Sequence, residues 1–188
     1  MGAVFDFEKE KLIMGIIYND PEVLSRAMKI LTEKFGEVED SCEEFSFSRE
    51  FSVYYDGELG GEGLRRIISF KEPIDPSRQA AIKIFTNELE EKLSPPGMRL
   101  INLDPGFLNR GRVMLATTKE IGFRIPLSDG IYTELTLFWA RGGWHKFPWT
   151  YRDYQSERVQ KFLTRVRKSY LAWRREKMKK DNNKILGD

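Results

Sequence analysis

The chain has 188 residues, 40% hydrophobic and 13% aromatic, enough to bury about 70% of its unfolded surface in one compact unit and too aromatic for disorder. Thirty-one Lys and Arg face 29 Asp and Glu, a net charge of +2; the 32% of charged residues and the three Gln make a thermophile-like composition. The single Cys42 excludes a disulfide framework, a zinc cluster and a CxxC pair, and the longest apolar run, Leu12 to Tyr18, is too short to cross a membrane, so no membrane partner is expected.

Met1 to Lys11 mixes three acids with apolar residues and lacks the apolar region of a signal peptide; with a lone thiol, the expected location is the cytoplasm. Lys11 to Tyr18, KLIMGIIY, reads as a strand. Asp20 and Pro21 suit the N-cap and first position of a helix whose stripe is Val23, Leu24, Ala27, Met28, Leu31 and Phe35, closed by Gly36. Phe45 and Phe47 alternate as a short edge strand, Asp56 to Gly63 is a glycine-rich loop, and Leu64 to Phe70 is a strand. A second helix opens at Asp75-Pro76, carries Ile82, Phe85, Leu89 and Leu93, and stops at Ser94-Pro95-Pro96-Gly97. Arg99 to Leu103 is a strand, Asp104-Pro105-Gly106 a turn, and Leu108 to Glu120 is expected to be helical. Gly122 to Leu127 and Ile131 to Ala140 flank the hairpin signal Asp129-Gly130, and Gly142-Gly143 leads a further hairpin into Trp144 to Phe147. Pro148 to Tyr154 is aromatic and irregular. Val159, Phe162, Leu163, Val166, Tyr170 and Trp173 mark one long helix.

Two segments match. Leu12 to Tyr18, Asp20-Pro21 and Ala27-x-Lys29-Ile30-x-Thr32 recur as Leu64 to Phe70, Asp75-Pro76 and Ala81-x-Lys83-Ile84-x-Thr86. Tandem strand–helix–strand units predict an α+β fold: a ferredoxin-like β-α-β-β-α-β core with added antiparallel hairpins and a long C-terminal helix. The expected organisation is a single α+β domain over 1–154, a basic amphipathic helix over 155–180 packed on it or on a partner subunit, and a frayed tail over 181–188.

Charge is unevenly spread. Residues 37–62 hold nine acids and one base, Arg49; residues 158–180 hold ten bases and one acid, Glu176. The two segments either neutralise one another, within the chain or across a homodimer, or present a basic face to nucleic acid.

There is no GxxxxGK[ST], GxSxG, HExxH or CxxC, so neither P-loop nucleotide binding nor a zinc cluster is expected. His145, the only histidine, is a surface or stacked structural residue, or else a general base or ligand. Asn102 and Asp104 lie two apart on a strand and so project to one side, a pair suited to a hard cation such as Mg²⁺ or to hydroxyl recognition; alternatively Asp104 caps the next helix and Asn102 ties down a loop. Arg110 and Lys119, on that expected helix, face an anion. Glu134 sits among Tyr132, Thr136 and Phe138 on one strand face, as an edge residue or as a pocket acid with a raised pKa. Tyr151, Asp153 and Tyr154 wall a pocket or latch the last helix.

NLDPGFL, DGIYTEL and PWTYRDY, in this order after MGIIYNDP, resemble the prokaryotic family catalogued as domain of unknown function 4416. The resemblance covers the chain to about Tyr154 and implies no catalytic residues.

The leading functional reading is a binding protein or enzyme for a small polar or anionic ligand. Its candidate catalytic residues are Asp104, Glu134 and His145, its candidate ligand-binding residues Asn102, Arg110, Lys119, Tyr132 and Tyr151, and its candidate Mg²⁺ ligands Asn102 and Asp104. The alternatives are a nucleic-acid-binding module acting through the basic C-terminal helix, and a structural or dimerisation protein.

Overall fold

A computed structural model describes residues 2–185, with side chains as far as Lys180. Among them nine strands form one antiparallel sheet. They are β1 (Lys11–Tyr18), β2 (Val38–Ser41), β3 (Phe45–Ser46), β4 (Leu64–Phe70), β5 (Ile101–Leu108), β6 (Arg112–Thr117), β7 (Ile125–Pro126), β8 (Tyr132–Ala140) and β9 (Gly143–Lys146). The sheet order is β2-β4-β1-β5-β6-β8-β7, with β3 beside β4 and β9 beside β8. The helices are α1 (Pro21–Phe35), the single turns α2 (Phe47–Glu50) and α3 (Asp56–Leu59), α4 (Gln79–Leu93) and α5 (Glu157–Ile185).

The two faces of the sheet carry separate cores, as the period of two along each strand requires. Leu12, Met14, Ile16 and Tyr18 of β1 face α1 and α4, packing with Ala27, Leu31, Ile82 and Leu89. Ile13 of β1, Ile67 of β4, Leu108, Val113 and Leu137 face the other way, onto Val159, Phe162, Leu163 and Val166 of α5. Each such fully buried side chain contributes about 1.5–3 kcal/mol. The Asp-Pro repeat has a local counterpart: Asp20 accepts from the Glu22 amide and Asp75 from the Ser77 amide, both at 2.8 Å.

The acidic segment meets the basic helix. Arg165 donates to both Asp40 oxygens at 2.8 and 2.9 Å, Arg158 pairs with Glu50 at 3.2 Å, Ser169 donates to Glu39, and Arg174 reaches Glu8. Among the described residues no helix is long and apolar enough to cross a membrane. α5 continues to Ile185; the last part of the segment expected to fray, 186–188, lies outside the described residues.

Several local expectations are corrected. Leu108 to Glu120 is not a helix but the β5–β6 hairpin: the Asn109 side chain accepts from the Gly111 and Arg112 amides at 2.8 and 3.0 Å, closing the turn. Val113 and Leu115 alternate with Arg112 and Met114 in β6, a period of two that a helical reading overlooks. Asp104-Pro105-Gly106 does not turn but continues β5. β7 is only Ile125–Pro126, and the β8–β9 turn sits one residue earlier than expected, at Arg141-Gly142, both with positive φ. Asp129-Gly130 does form its hairpin turn, with φ of 55° and 74°.

Candidate functional site

β6 joins β5 only at Gly106, Phe107 and Leu108. Beyond that point β6 stays with β8 and leaves the first half of β5 without a neighbour on that side. Backbone groups there still need partners. Two side chains of α4 supply them: Glu90 accepts from the Leu103 amide at 2.6 Å, and Lys83 donates to the Leu103 carbonyl at 2.8 Å. Pro105, two residues on, shares the outward direction of Leu103, and its missing N–H leaves no orphan donor at the open edge. Gly106 marks the junction, since any Cβ there would collide with the Met114 carbonyl. The turn-like Asp-Pro-Gly composition therefore reflects a strand passing from one neighbour to two.

The gap between β5 and β6 is a cavity of about 150 Å³. Its walls include Asn102 and Asp104 from β5, Thr117 at the end of β6, Thr118 and Lys119 after it, and Tyr151, Asp153 and Tyr154 before α5. Arg65 of β4, Lys83 of α4, Arg99 and Tyr55 complete the polar lining. Four cations thus meet two carboxylates.

Asp104 is the hub. Asn102 donates to its Oδ2 at 2.7 Å, Arg65 Nη1 lies 3.5 Å from the same oxygen, and Lys83 Nζ lies 3.7 Å from Oδ1. Burial opposes its charge, but Lys83, Arg65 and the Asn102 bond outweigh burial and hold its pKa below the ordinary value. Asp153 is placed differently. It is 3% exposed, and burial pushes its pKa up despite Arg65. Arg65 Nε lies 3.1 Å from Asp153 Oδ2, an ion pair whose alignment falls short of a hydrogen bond, so both atoms retain unused hydrogen-bonding capacity. The Tyr154 hydroxyl, fully buried, has no partner. One cavity thus holds a carboxylate kept charged, a carboxyl pushed towards neutrality and a free phenol. That set can accept from and donate to hydroxyl groups, and its acids differ as an acid–base pair does.

A second cluster abuts the first. Arg124 donates to Glu134 at 2.8 Å, to the Lys119 carbonyl at 2.8 Å and to the Tyr151 hydroxyl at 3.1 Å. Burial raises the Glu134 pKa against the pull of Arg124, and burial together with the Glu134 charge pushes Tyr151 up to about 12. Glu134 reaches this position through a bulge. Val113 pairs with Leu137 but Met114 with Leu135, so Thr136 is the extra residue and Glu134 lies on the sheet face opposite Phe138 rather than beside it.

The candidate residues separate accordingly. Asn102, Asp104, Lys119 and Tyr151 line the cavity, though Lys119 sits in a loop rather than on a helix. Glu134 touches the cavity wall through Arg124. Tyr132 pairs with Thr117 at the start of β8 without lining the cavity. Arg110 lies in the β5–β6 turn, where its carbonyl accepts from Arg167, and His145 is exposed, stacked on Phe138 at 5.1 Å with Nε2 2.9 Å from the Ala140 carbonyl. For Mg²⁺, the cations around Asp104 come from the chain, and no group of three or more His, Cys, Asp or Glu gathers among the described residues. Sequence reasoning missed Arg65, Lys83 and Arg99. Arg65 falls inside an ordinary strand, and Lys83 looks like its repeat counterpart Lys29, which is exposed.

Fold and site define an α+β protein with one antiparallel sheet, helices on both faces, and a cation-rich polar cavity where two neighbouring strands part. The chain belongs to the family described as Domain of unknown function (DUF4416), whose model matches residues 8–170. That span takes in the whole sheet, every cavity-lining residue and the packed part of α5. No curated protein and no solved structure matches the chain.

Proposed function

We infer that the protein binds a small organic anion in the cavity between β5 and β6. The observation that carries this reading is the convergence of Arg65, Lys83, Arg99 and Lys119 on one cavity lined by the carboxylates of Asp104 and Asp153, with Glu90 and Glu58 holding Arg99 from outside it. Lys119 supplies the surplus: among the described residues it pairs with no carboxylate, and its ammonium lies 5.4 Å from the Tyr54 ring centre. Arg65, Lys83 and Arg99 are matched by Asp104, Asp153 and Glu90, so the unmatched charge stands at the exposed Lys119 on the cavity mouth, where an anion arriving from water meets it. Tyr154, Asp153 and Arg65 favour the same reading, because three buried polar atoms without a hydrogen-bond partner lie together in this one cavity, where a ligand can meet all of them.

The first four long elements of the sheet support a ferredoxin-like core. Order β2-β4-β1-β5, all antiparallel, with α1 and α4 on one face, is that of a split β-α-β pair. We read β6 to β9 as the additions and α5 as part of the same folding unit, since it provides one side of the second core.

The test is thermal unfolding of the full chain in sodium phosphate and in sodium chloride at matched ionic strength. A ligand at a hundred times its Kd adds about 2.7 kcal/mol of stability. Phosphate is expected to raise the Tm of the wild type and to lose most of that effect in Lys119→Gln. Equal melting in both salts overturns the reading.

A further inference from the structure

The cavity has two chemically different ends. Its deep end is formed by Asn102, Asp153, Tyr154 and Arg65, each 3% exposed or less, with Asp104 beside them. Its rim is formed by Arg99, Thr118, Lys119 and Tyr151, of which Arg99 is 33% exposed as a side chain and Tyr151 43% exposed.

A bare inorganic anion suits the rim but not the deep end, where Asp104 and Asp153 would face it. The deep end instead alternates acceptors with donors: the Asp104 carboxylate and Asp153 Oδ2 against the Tyr154 hydroxyl and Arg65 Nε, with the last three lacking hydrogen-bond partners. Hydroxyl groups, each a donor and an acceptor, answer such a lining without adding charge. The rim brings two cations from opposite walls, Arg99 ahead of β5 and Lys119 behind β6, next to the Thr118 hydroxyl. A phosphoryl group, with charge near −2 and three acceptor oxygens, uses all three, whereas a carboxylate has only two oxygens to offer. Arg99 already holds Glu90 at 2.6 Å and Glu58 at 3.6 Å, so it acts there as one positive charge among several rather than as a dedicated fork. A cavity of about 150 Å³ encloses about six non-hydrogen atoms, enough for the hydroxylated end of such a ligand, while the partly exposed rim leaves the rest of it room towards water.

We propose that the ligand is a phosphate monoester of a short polyhydroxylated carbon chain, its phosphate at the Arg99–Lys119 rim and its hydroxyls against Asp104, Asp153 and Tyr154. The proposal rests on the anion-binding reading and adds what the anion is attached to. It also gives the unequal carboxyls of Asp104 and Asp153 a purpose, since both meet the hydroxylated part of the ligand.

Calorimetric titration of the full chain with glycerol 3-phosphate, ribose 5-phosphate, inorganic phosphate, glycerate and glycerol separates the parts. At least one of the two esters is expected to bind tenfold or more tightly than inorganic phosphate and than glycerate, and glycerol alone is expected not to bind measurably. Tyr154→Phe removes one neutral hydrogen bond and should weaken the ester by about two- to tenfold while leaving inorganic phosphate unchanged. Lys119→Gln, at an exposed position, should weaken both. Inorganic phosphate or glycerate binding as tightly as the tighter of the two esters, or an affinity for that ester untouched by Tyr154→Phe, overturns the proposal while the anion-binding reading stands. Absence of binding by every anion sinks both.

Discussion

Arg65 crosses β1 directly over Gly15. A Cβ at residue 15 would come within 2.7 Å of the Arg65 Nη2 and 3.0 Å of its Cζ, so the glycine is the gap through which the guanidinium reaches Asp104 and Asp153. Gly15 pairs with Asp104 across β1 and β5, which puts the gap beside the hub of the cavity. Gly15→Ala is therefore expected to displace Arg65, costing about 1–3 kcal/mol as overpacking does. Chemical denaturation checks this, and a variant as stable as the wild type would show that Arg65 has another route.

The Tyr154 hydroxyl is a different case, because the free protein gains nothing from it. It is buried without a partner, and an unsatisfied buried hydroxyl costs stability. Tyr154→Phe should leave the unliganded chain as stable as the wild type or up to about 1 kcal/mol more stable. A clear loss of stability without ligand would mean that the hydroxyl is already satisfied.

Arg124 and Glu134 form an ion pair 5% and 1% exposed. Removing one member strands the other, at a cost of about 3–5 kcal/mol. Arg124→Met should show this loss with a specific pH dependence. Burial already lifts the Glu134 pKa above its ordinary 4.5, and without Arg124 it rises further. A carboxyl whose folded pKa is raised carries no penalty below its unfolded value, and stability falls as pH climbs from there through the folded value. Urea unfolding should therefore show a smaller loss at pH 5 than at pH 8; the same loss at both would mean that Glu134 stays charged or finds a new partner.

The basic helix α5 is held by its apolar stripe. Phe162→Ala should cost about 3–5 kcal/mol, because the ring is fully buried. Arg165→Gln should cost about 1 kcal/mol or less, because its pair with Asp40 is half exposed. Denaturation midpoints that reverse this order would make the charges, rather than the packing, the reason the helix stays on the sheet.

Much of the fold was legible because the local signals agree with the tertiary structure. The Asp-Pro caps, the apolar period of α1 and α4 and the Asp129-Gly130 turn each act within a few residues. The β5–β6 region misled for a physical reason: Asp104-Pro105-Gly106 has turn composition, but its proline and glycine serve a strand edge and a strand junction, which only the sheet reveals. The site was half legible. Asn102 and Asp104 followed from strand parity, whereas Lys83 depends on α4 lying under the open edge of β5, and Arg65 on the gap at Gly15. The Thr136 bulge moved Glu134 to the other face, a shift of one residue that no pattern in β8 announces.

The central claim, that the β5–β6 cavity takes an anion, is tested most directly by a crystal structure of the full chain grown with whichever of glycerol 3-phosphate, ribose 5-phosphate and inorganic phosphate binds most tightly. Density for the phosphoryl group between Lys119 and Arg99, with an ester's carbon chain directed at Asp104 and Tyr154, is the expected result. An empty cavity at saturating ligand, or density confined to the surface groove where Arg158, Lys161 and Arg165 of α5 face Cys42 and Glu44, would contradict it.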